Sequence, residues 1–333
     1  MVKNSDQHFF YIWSGTDFPF INLISVSLTL KHHPDAIIDV YVVGERPLTV
    51  WFTVLEQIPQ VKIRFISGTD IIGLLPKRMH AVQATYSNLS PKAHSARSNI
   101  LRYAILYLYG GVYLDFDVLL LRSMDSLRQY EAFAGEEMVW ADDEVRLRGK
   151  KSLYLAPRNI LWALSHAVMW CDSHLTRGLL RTASLLSPTF RAWSTYQMNN
   201  AVMGSAVGAD FIEDLLVGAI ESDASIRYAT GPTLIERVAR TSSAPFTPLS
   251  SSSFYSVPPG QSYRFFFDHA LELPKSAFGI HYAASNHSGS VNSLTPESIV
   301  DYSPMTVMGS MLRVGFTHLQ LLLGESEEEL MYA

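Results

Sequence analysis

Short apolar runs alternate with segments of helical periodicity along the first part of the chain. The runs His8 to Trp13 and Ile38 to Val43 are rich in β-forming residues and flank Phe20 to Leu30, whose apolar residues recur at spacings of three and four. This pattern predicts strand, helix and strand. Val61 to Ile66 alternates apolar and basic residues and predicts a further strand. Strands that alternate with helices predict an α/β fold with a mainly parallel sheet flanked by helices on both faces.

Two later segments depart from this alternation. Residues 141–187 begin with acidic residues, continue with a basic patch, and become apolar with helical spacing from Asn159 onward, so the pattern predicts a helical insertion. Thr241 to Pro259 is rich in Ser and Pro and predicts a loop. Because ligand contacts in proteins often come from loops and insertions, both segments are expected to contribute binding contacts.

The C-terminal part predicts one more helix. An apolar run extends from Met305 to Leu323 and is followed by Gly324 and an acidic tail. Core packing of this helix is favoured over docking to a membrane or a partner. The length of 333 residues allows a sizeable core, and the expected division is a main domain over residues 1–304 and a terminal helix with its tail over 305–333.

Composition and charge narrow the classes of protein. Hydrophobic residues make up 48% and charged residues 17%, which is typical of an ordered globular protein. The net charge of −5 does not favour electrostatic attraction to the phosphates of nucleic acid, so no nucleic-acid partner is expected. Cys171 is the only cysteine and excludes an intramolecular disulfide and a multi-thiolate zinc site. Without a signal-peptide core or a transmembrane run, we expect a soluble, cytoplasmic protein, with peripheral membrane contact left open.

The segment from Ser95 to Asp117 carries the candidate chemistry. The pattern predicts a helix capped by Ser95 or Ser98 and ended by the glycine pair that starts at Gly110. The apolar stripe of this helix is expected to face the core and consists of Ile100, Leu101, Ala104, Ile105 and Leu108. Asn99 and Arg102 are three residues apart and share another face, which forms a polar patch beside the next strand.

The next strand is predicted to begin at Val112. Its period of two places Tyr113, Asp115 and Asp117 on one side. Two buried carboxylates on one face repel each other unless a cation or a proton relieves the repulsion. Hard oxygen ligands of this kind suit Mn²⁺ or Mg²⁺. The alternative is that one Asp caps the end of the strand and the other is solvated.

The helix, the glycine pair and the sequence Val-Tyr-Leu-Asp-Phe-Asp together resemble a known sugar-binding region. It is the DXD region of the retaining glycosyltransferases that include the fungal initiating mannosyltransferases, the α-1,4-galactosyltransferases and, more distantly, the glucosyltransferase domains of large clostridial toxins. Further matching segments occur in the same order and are Tyr11-Ile12-Trp13, Asn199-Asn200-Ala201-Val202-Met203, Gly231-Pro232 and His281-Tyr282.

The resemblance implies a GT-A fold with a Rossmann-like sheet and a metal-dependent transfer of a hexose that retains anomeric configuration. The implied donor is a nucleotide-diphosphate sugar, with a UDP-sugar favoured and GDP-mannose as a second candidate. The implied cofactor is Mn²⁺ or Mg²⁺. The acceptor could be a glycan, a lipid-linked saccharide or a protein. Its contacts are expected to come from residues 141–187 and from Thr241 to Pro259.

The resemblance also implies roles for residues near the DXD motif. Asp115 would contact the ribose and the metal, and Asp117 would bind the metal directly. Arg102 would bond the donor sugar or its phosphate, so Arg102 and Asp117 are the candidate catalytic residues. Tyr113 and Asn99 are candidate donor-binding residues, although relatives usually have Asp at the position of Asn99.

The remaining candidate residues have both a functional and a structural interpretation. Trp13 would stack on the nucleobase, or it is an ordinary core residue. Asn200 would bind the donor, or it caps a helix that it opens, and Gly231 belongs to the same donor site. His281 would help to hold the metal or the diphosphate, or it is a structural histidine at the end of a strand.

The loop after His281 supplies the last two candidates. Asn286 would bind the metal and Ser288 would bind the donor. Relatives often have Trp where Tyr282 and Asn286 stand, so this part of the chain departs further from the family pattern.

Three other functions compete with a transferase. A glycosidase would need two carboxylates on opposite sides of the scissile bond, which neighbouring positions on one strand face supply poorly. A non-catalytic nucleotide-sugar or glycan-binding protein of the same fold is the main alternative, which the intact Asp pair disfavours. A dehydrogenase is excluded because no Gly-x-Gly-x-x-Gly follows an early strand.

Overall fold

A mixed α/β sheet with helices on both faces forms the centre of the protein. The computed structural model describes residues 8–90, 93–140, 156–223 and 228–324. The strands are β1 His8–Trp13, β2 Ile37–Val43, β3 Val61–Ile66, β4 Gly111–Leu114, β5 Val118–Leu120, β6 Ala132–Trp140, β7 Ser194–Ser205, β8 Thr247–Leu249 and β9 Gly279–His281. The helices are α1 Phe20–His32, α2 Val50–Gln57, α3 Gly68–Ile72, α4 His80–Asn88, α5 His94–Tyr109, α6 Ala156–Cys171, α7 Thr182–Trp193, α8 Asp210–Ile220, α9 Pro232–Thr241, α10 Arg264–Phe267, α11 Ser288–Asn292 and α12 Val307–Leu323.

The main sheet has seven strands in the order β3-β2-β1-β4-β7-β6-β8. Strands β3, β2, β1 and β4 are parallel to one another, and β7 runs antiparallel to both β4 and β6. A second sheet pairs β5 with β9. This arrangement confirms the predicted fold class of a mainly parallel sheet flanked by helices.

Two hydrophobic cores cover the two faces of the main sheet. One core contains residues of α1, α2, α12 and the small sheet, and the other contains residues of α3, α4, α5, α8 and α9. In α1, eleven consecutive residues from Phe20 to Leu30 are buried. The hydroxyls of this helix are hydrogen-bonded inside the protein, for example that of Ser25, which donates to the carbonyl of Val118 at 2.8 Å.

The C-terminal helix packs directly against α1. A Cβ atom on Gly315 would lie 2.6 Å from a methyl carbon of Ile24, so this glycine allows the close approach of the two helices. The hydroxyl of Ser27 donates to the carbonyl of Gly315 at 2.7 Å. These contacts confirm core packing of the last helix, while the predicted acidic tail, residues 325–333, lies outside the described residues. None of the helices in the described ranges is long and apolar enough to cross a membrane.

Helical segments interrupt the chain between β6 and β7, where the sequence predicts an insertion. Helices α6 and α7 are joined by a π-helical turn at Asp172–Thr176 and by the residues that follow it. The first part of the predicted insertion, residues 141–155, lies outside the described residues.

Three local predictions from the sequence are wrong. The segment Thr241 to Pro259 contains β8, which pairs in parallel with β6, so it is not entirely loop. Ser95 and Ser98 do not cap α5, because this helix already begins at His94. Asn200 lies within β7 and therefore opens no helix, so its interpretation as a helix cap is also wrong.

Candidate functional site

A glycine pair sets the course of the chain between α5 and the Asp pair. Helix α5 ends at Tyr109, and Gly110 and Gly111 follow with φ angles of 63° and 94°. A Cβ atom on Gly111 would lie 2.6 Å from the carbonyl oxygen of His8. Only glycine therefore lets β4 enter the sheet this close to β1.

The strand that carries the motif is shorter than its sequence predicts. Strand β4 ends at Leu114, and Asp115 makes the last ladder contact when its N–H donates to the carbonyl of Ala201 at 2.8 Å. The carbonyl of Asp115 then accepts the N–H of Val118 at 3.0 Å and closes a turn. The prediction that Asp115 and Asp117 alternate along one strand face is wrong, because the carboxylates follow the strand in a turn, where Asp is favoured.

Asp115 lies against Arg102 and Tyr113. Its Oδ1 accepts the Tyr113 hydroxyl at 2.5 Å and the Nη2 of Arg102 at 3.1 Å. The Arg102 guanidinium also lies 4.3 Å from the centre of the Tyr113 ring. Burial raises the pKa of Asp115 above its ordinary value against the opposing charge of Arg102, and the charge of nearby Asp117 adds to the increase. The side chain of Asp115 is still 31% exposed, which leaves it accessible to a ligand.

Asp117 meets a different set of groups from the far end of the chain. Its Oδ2 accepts the backbone N–H of Ala284 at 3.0 Å and lies 3.3 Å from the Nε2 atom of His281. Burial favours the neutral acid, but His281 and this N–H outweigh it and hold the pKa of Asp117 below its ordinary value. The contacts with His281 and Ala284 therefore favour the charged form of Asp117.

His281 connects Asp117 to a buried network that sequence reasoning missed. Its Nδ1 atom lies 3.4 Å from Oε1 of Glu137 as an ion pair, and neither atom has a partner with hydrogen-bond geometry among the described residues. The second oxygen of Glu137 accepts the side-chain amide of Asn199 at 2.7 Å. The Asn199 carbonyl oxygen accepts the Tyr255 hydroxyl at 3.3 Å. Burial favours a neutral ring, yet the two carboxylates raise the pKa of His281 well above its ordinary value.

The predicted donor residues Asn99, Asn200 and Gly231 lie together. The Asn200 side chain donates to Oδ1 of Asn99 at 2.8 Å, and the Asn99 amide donates to the Thr230 hydroxyl at 3.3 Å. A Cβ atom on Gly231 would lie 2.8 Å from the Asn99 amide nitrogen. The backbone carbonyl of Asn200 accepts Nη1 of Arg102, which joins this group to the DXD turn. Asn99 is only 5% exposed, so a contact with a sugar would pass through its neighbours.

Trp13 lies beside the same turn. Its ring is partly buried and makes edge contacts with Phe18 and Phe116, at centroid distances of 5.3 and 5.7 Å. Its Nε1–H donates to the carbonyl of Gly15 at 3.2 Å. The structure thus places Trp13 against the residue between the two aspartates, and stacking on a nucleobase stays a prediction.

Asn286 and Ser288 are on the loop and short helix that follow the Asp117 contact. The Asn286 amide donates to the carbonyl of Pro259 at 2.9 Å instead of pointing to the aspartates. Ser288 is exposed and begins α11. Neither side chain contacts the DXD turn through a hydrogen bond within the described residues, so their metal and donor roles stay predictions.

The part of the chain that contains this site is similar to a known protein family. Residues 28–134 match the family described as a glycosyltransferase sugar-binding region containing a DXD motif. The matched range includes α5, β4, Asp115 and Asp117. Residues 28–134 are therefore similar to the DXD sugar-binding region of glycosyltransferases. No curated protein matches the chain significantly.

Several solved glycosyltransferases align with the chain well beyond the sugar-binding region, at low sequence identity. PaToxG glycosyltransferase has 12% identity over 97% of this chain and 79% of its own, with a TM-score of 0.42. GlyE from Streptococcus pneumoniae TIGR4 has 9% identity over 96% of this chain and 63% of its own, with a TM-score of 0.47. The UDP-bound glycosyltransferase domain of the YGT toxin has 8% identity over 96% and 99%, with a TM-score of 0.40.

The turn after β4 contains two carboxylates that suit a divalent cation. Asp115 and Asp117 remain partly exposed, and both supply the hard oxygen atoms that Mg²⁺ and Mn²⁺ prefer. The described residues contain no group of three or more His, Cys, Asp or Glu side chains arranged to hold a metal ion. The described residues therefore supply two carboxylates that fit a divalent cation, and not a complete set of protein ligands.

A separate cavity lies beside the helical insertion. It has a volume of about 600 Å³. Its lining combines residues of the insertion, such as Arg181 and Ser184, with Ser256, Val257 and residues up to Pro274. The cavity thus joins the two segments that the sequence predicts as the acceptor region.

Proposed function

We propose that this protein transfers a hexose from a nucleotide-diphosphate sugar to an acceptor with retention of anomeric configuration. The observation that carries the proposal is the pair of partly exposed carboxylates, Asp115 and Asp117, in a turn at the end of β4 within the DXD region. The motif resemblance favours a UDP-sugar, with GDP-mannose as the second donor. Trp13, beside the turn, would stack on the base.

Asp115 and Asp117 would have different roles at the donor diphosphate. Asp117 is held as a carboxylate by His281 and Ala284 and would be the principal metal ligand. Asp115 is oriented by Arg102 and Tyr113, which would direct its exposed edge to the ribose and the cation. A bound Mn²⁺ or Mg²⁺ would stabilise the negative charge that develops on the departing diphosphate. Arg102 adds a fixed positive charge on the same side.

The alternative of a non-catalytic binding protein makes a different experimental prediction. Such a protein would bind nucleotide sugars but would not turn them over. The intact, partly exposed Asp pair and its ordered partners favour catalysis. A panel of UDP- and GDP-sugars tested for Mn²⁺-dependent hydrolysis without acceptor distinguishes the two, and NMR of the product of transfer tests retention.

The substitution Asp117→Asn tests the metal assignment. The amide is nearly isosteric with the carboxylate but removes the charge that binds the cation, so we expect donor hydrolysis to fall by about 100-fold or more while the fold is kept. Hydrolysis of the preferred donor at saturating Mn²⁺, with circular dichroism of both proteins, measures the effect. The matched control is Asp35→Asn, which changes an exposed aspartate far along the chain from the motif. A rate for Asp117→Asn close to that of the control would contradict the assignment.

A further inference from the structure

The helical insertion exposes an apolar face. Ile160, Leu164 and Val168 follow one another at spacings of four in α6 and are each at least half exposed. No charged residue occurs from Asn159 to Cys171. The opposite side of the helix is fixed to the protein, because Met169 is buried against Ala183. The solvent-facing side of α6 is therefore apolar without a protein partner among the described residues.

The residues that follow α6 in the chain also expose apolar side chains, and they add positive charge. Leu175, Leu179 and Leu180 are 76%, 81% and 63% exposed, which is unusual for three leucines so close in sequence. Arg177 and Arg181 alternate with them, are exposed, and take part in no ion pair within the described ranges.

The conformation of this leucine and arginine segment is fixed from inside. Both arginines have a left-handed backbone, with φ angles of 57° and 51°. Asp172 is buried and accepts hydrogen bonds from the backbone N–H groups of Leu180 and Thr182 at 3.1 and 2.9 Å. The exposure of the leucines is thus part of a hydrogen-bonded structure.

Charge is distributed unevenly between the insertion and the rest of the chain. Residues 141–193 contain eight Lys and Arg against four acidic residues, of which three, Asp142, Asp143 and Glu144, stand at the start, whereas the rest of the chain contains 18 Lys and Arg against 27 Asp and Glu. Four of the eight cations belong to residues 145–155, which the structure does not describe. Because Asp172 is buried, the insertion has no acidic group on its described surface. An acidic protein therefore carries one cationic and apolar segment.

We propose that the outer face of α6 and the leucine and arginine segment 175–181 dock onto the surface of an anionic lipid bilayer. Apolar side chains interleaved with Arg suit the boundary between headgroups and acyl chains, where leucines enter the apolar region and cations meet lipid phosphates. Two copies of this face would bring like charges together, which disfavours a dimer through the same surface. The proposal concerns membrane attachment and does not depend on the nature of the sugar donor.

Flotation with lipid vesicles tests the proposal. The full chain is mixed with vesicles of phosphatidylcholine alone or with one quarter phosphatidylglycerol, at low and high salt. We expect binding to the anionic vesicles only, weakened by salt. The variant Arg177→Gln/Arg181→Gln should lose about fivefold in partition for each cation, and Leu179→Ser/Leu180→Ser should lose about tenfold or more.

Matched variants control for general effects of the substitutions. Leu48→Ser/Leu74→Ser removes two other exposed leucines, and Lys62→Gln/Lys77→Gln removes two other exposed cations. Both should bind as the wild type does. All variants change exposed side chains, and their thermal unfolding confirms that the fold is kept.

Three outcomes would overturn the proposal. The first is absence of binding to anionic vesicles, and the second is equal loss in the test and control variants. The third is self-association in solution that Leu179→Ser/Leu180→Ser abolishes, without vesicle binding, because this face would then be covered by a second copy. Donor hydrolysis measured without vesicles is a separate readout, so failure of membrane binding and failure of the proposed transferase activity are distinguishable.

Discussion

Asp115 and Asp117 are two residues apart, yet each has its own set of partners. Asp115 is held by α5 and β4, which precede it directly, whereas Asp117 is held by His281 and Ala284 from more than 160 residues later. The sequence could predict the first set, because the spacing of Arg102 and Tyr113 from Asp115 is local. The second set could be named only through the resemblance of the His281 segment, because no local pattern brings it to the motif.

Glu137 is the clearest residue that the sequence analysis missed. A signal was present, because two adjacent glutamates stand in the apolar run Ala132 to Trp140, and in a strand only one of two neighbours can face outward. Its function depends on the distant His281, which lies in another sheet. Local periodicity could therefore predict that one of the two glutamates faces inward, but it could not predict that His281 is its partner.

The substitution Glu137→Gln should disturb the site without removing a group that contacts the donor. The amide can still accept the hydrogen bond from Asn199, but it no longer forms the ion pair that orients the His281 ring. Substitution of a residue that orients a metal ligand typically lowers metal affinity by about 10- to 100-fold. We expect Mn²⁺ binding in the presence of UDP to weaken within this range, while UDP binding without metal stays the same.

Calorimetric titration of Mn²⁺ and of UDP checks this prediction. Glu136→Gln is the matched control, since it changes the adjacent glutamate on the other side of the same strand. Equal metal affinities for the two variants would mean that Glu137 does not position the site.

The substitution Asn99→Asp tests whether the buried Asn pair reads the sugar. Asn99 accepts from Asn200 and donates to Thr230, so a carboxylate keeps the first hydrogen bond and reverses the second. The negative charge added beside Asn200 should change the ratio of turnover efficiencies for two UDP-sugars by about fivefold or more, since altered pairing of a buried polar group costs about 1 to 3 kcal/mol. Affinity for UDP itself should change much less.

Turnover of UDP-glucose and UDP-galactose by both proteins, with thermal unfolding as a check of stability, measures the effect of Asn99→Asp. The exposed Asn88→Asp is its control. If the donor ratio is unchanged, Asn99 does not contribute to the choice of sugar.

At the scale of elements, the predictions were most accurate where periodicity alone decides. Strands β1 and β3 begin and end at the predicted residues, and α5 ends at its glycine pair. Strand β8 was not predicted, because its three residues lie in a Ser- and Pro-rich segment and form a strand only by pairing with β6. The early end of β4 was not predicted either, because the turn at Asp115 depends on contacts with β7 and β9, which are distant in the sequence.

His33 makes the junction after α1 sensitive to pH. Its ring is buried, and Nε2 accepts the backbone N–H of Met124 at 3.0 Å. Burial lowers the pKa of His33 to about 4, so the folded protein keeps the ring neutral where the unfolded chain, with an ordinary pKa near 6.5, binds a proton. The contribution of the neutral His33 ring to the free energy of unfolding is therefore fully present above about pH 6.5. It is lost as the pH falls toward 4, which lowers the free energy of unfolding by up to about 3 kcal/mol.

Urea unfolding at pH 7.5 and pH 5.0 checks the His33 prediction. In His33→Gln the ring that binds the proton is absent, so the loss of stability between the two pH values should be smaller than in the wild type. His94→Gln changes an exposed histidine and should retain the wild-type loss. The same pH dependence in all three proteins would contradict the prediction.

At the scale of the whole molecule, none of the residues that line the cavity belongs to the DXD turn. The DXD turn lies at the end of β4, whereas the cavity lies between α7 and the segment that ends near Pro274. The sequence could predict that the insertion and the Ser- and Pro-rich segment differ from the sheet, but only the tertiary structure brings them to one cavity. This separation predicts that acceptor binding can be disturbed without loss of donor hydrolysis.

Filling the cavity tests this separation. Ser184 is exposed and lines the cavity, so the indole in Ser184→Trp would occupy part of its volume of about 600 Å³ without displacing a core residue. If the cavity binds the acceptor, transfer to acceptor should fall by about tenfold or more, because a blocked pocket removes the contacts that orient the acceptor. Hydrolysis of the donor in the absence of acceptor should stay within about twofold of wild type, since Asp115 and Asp117 are untouched. Ser126→Trp, at another exposed serine, controls for the added aromatic surface. Equal decreases of hydrolysis and transfer in Ser184→Trp would show that the substitution damages the donor site, and unchanged transfer would place the acceptor elsewhere.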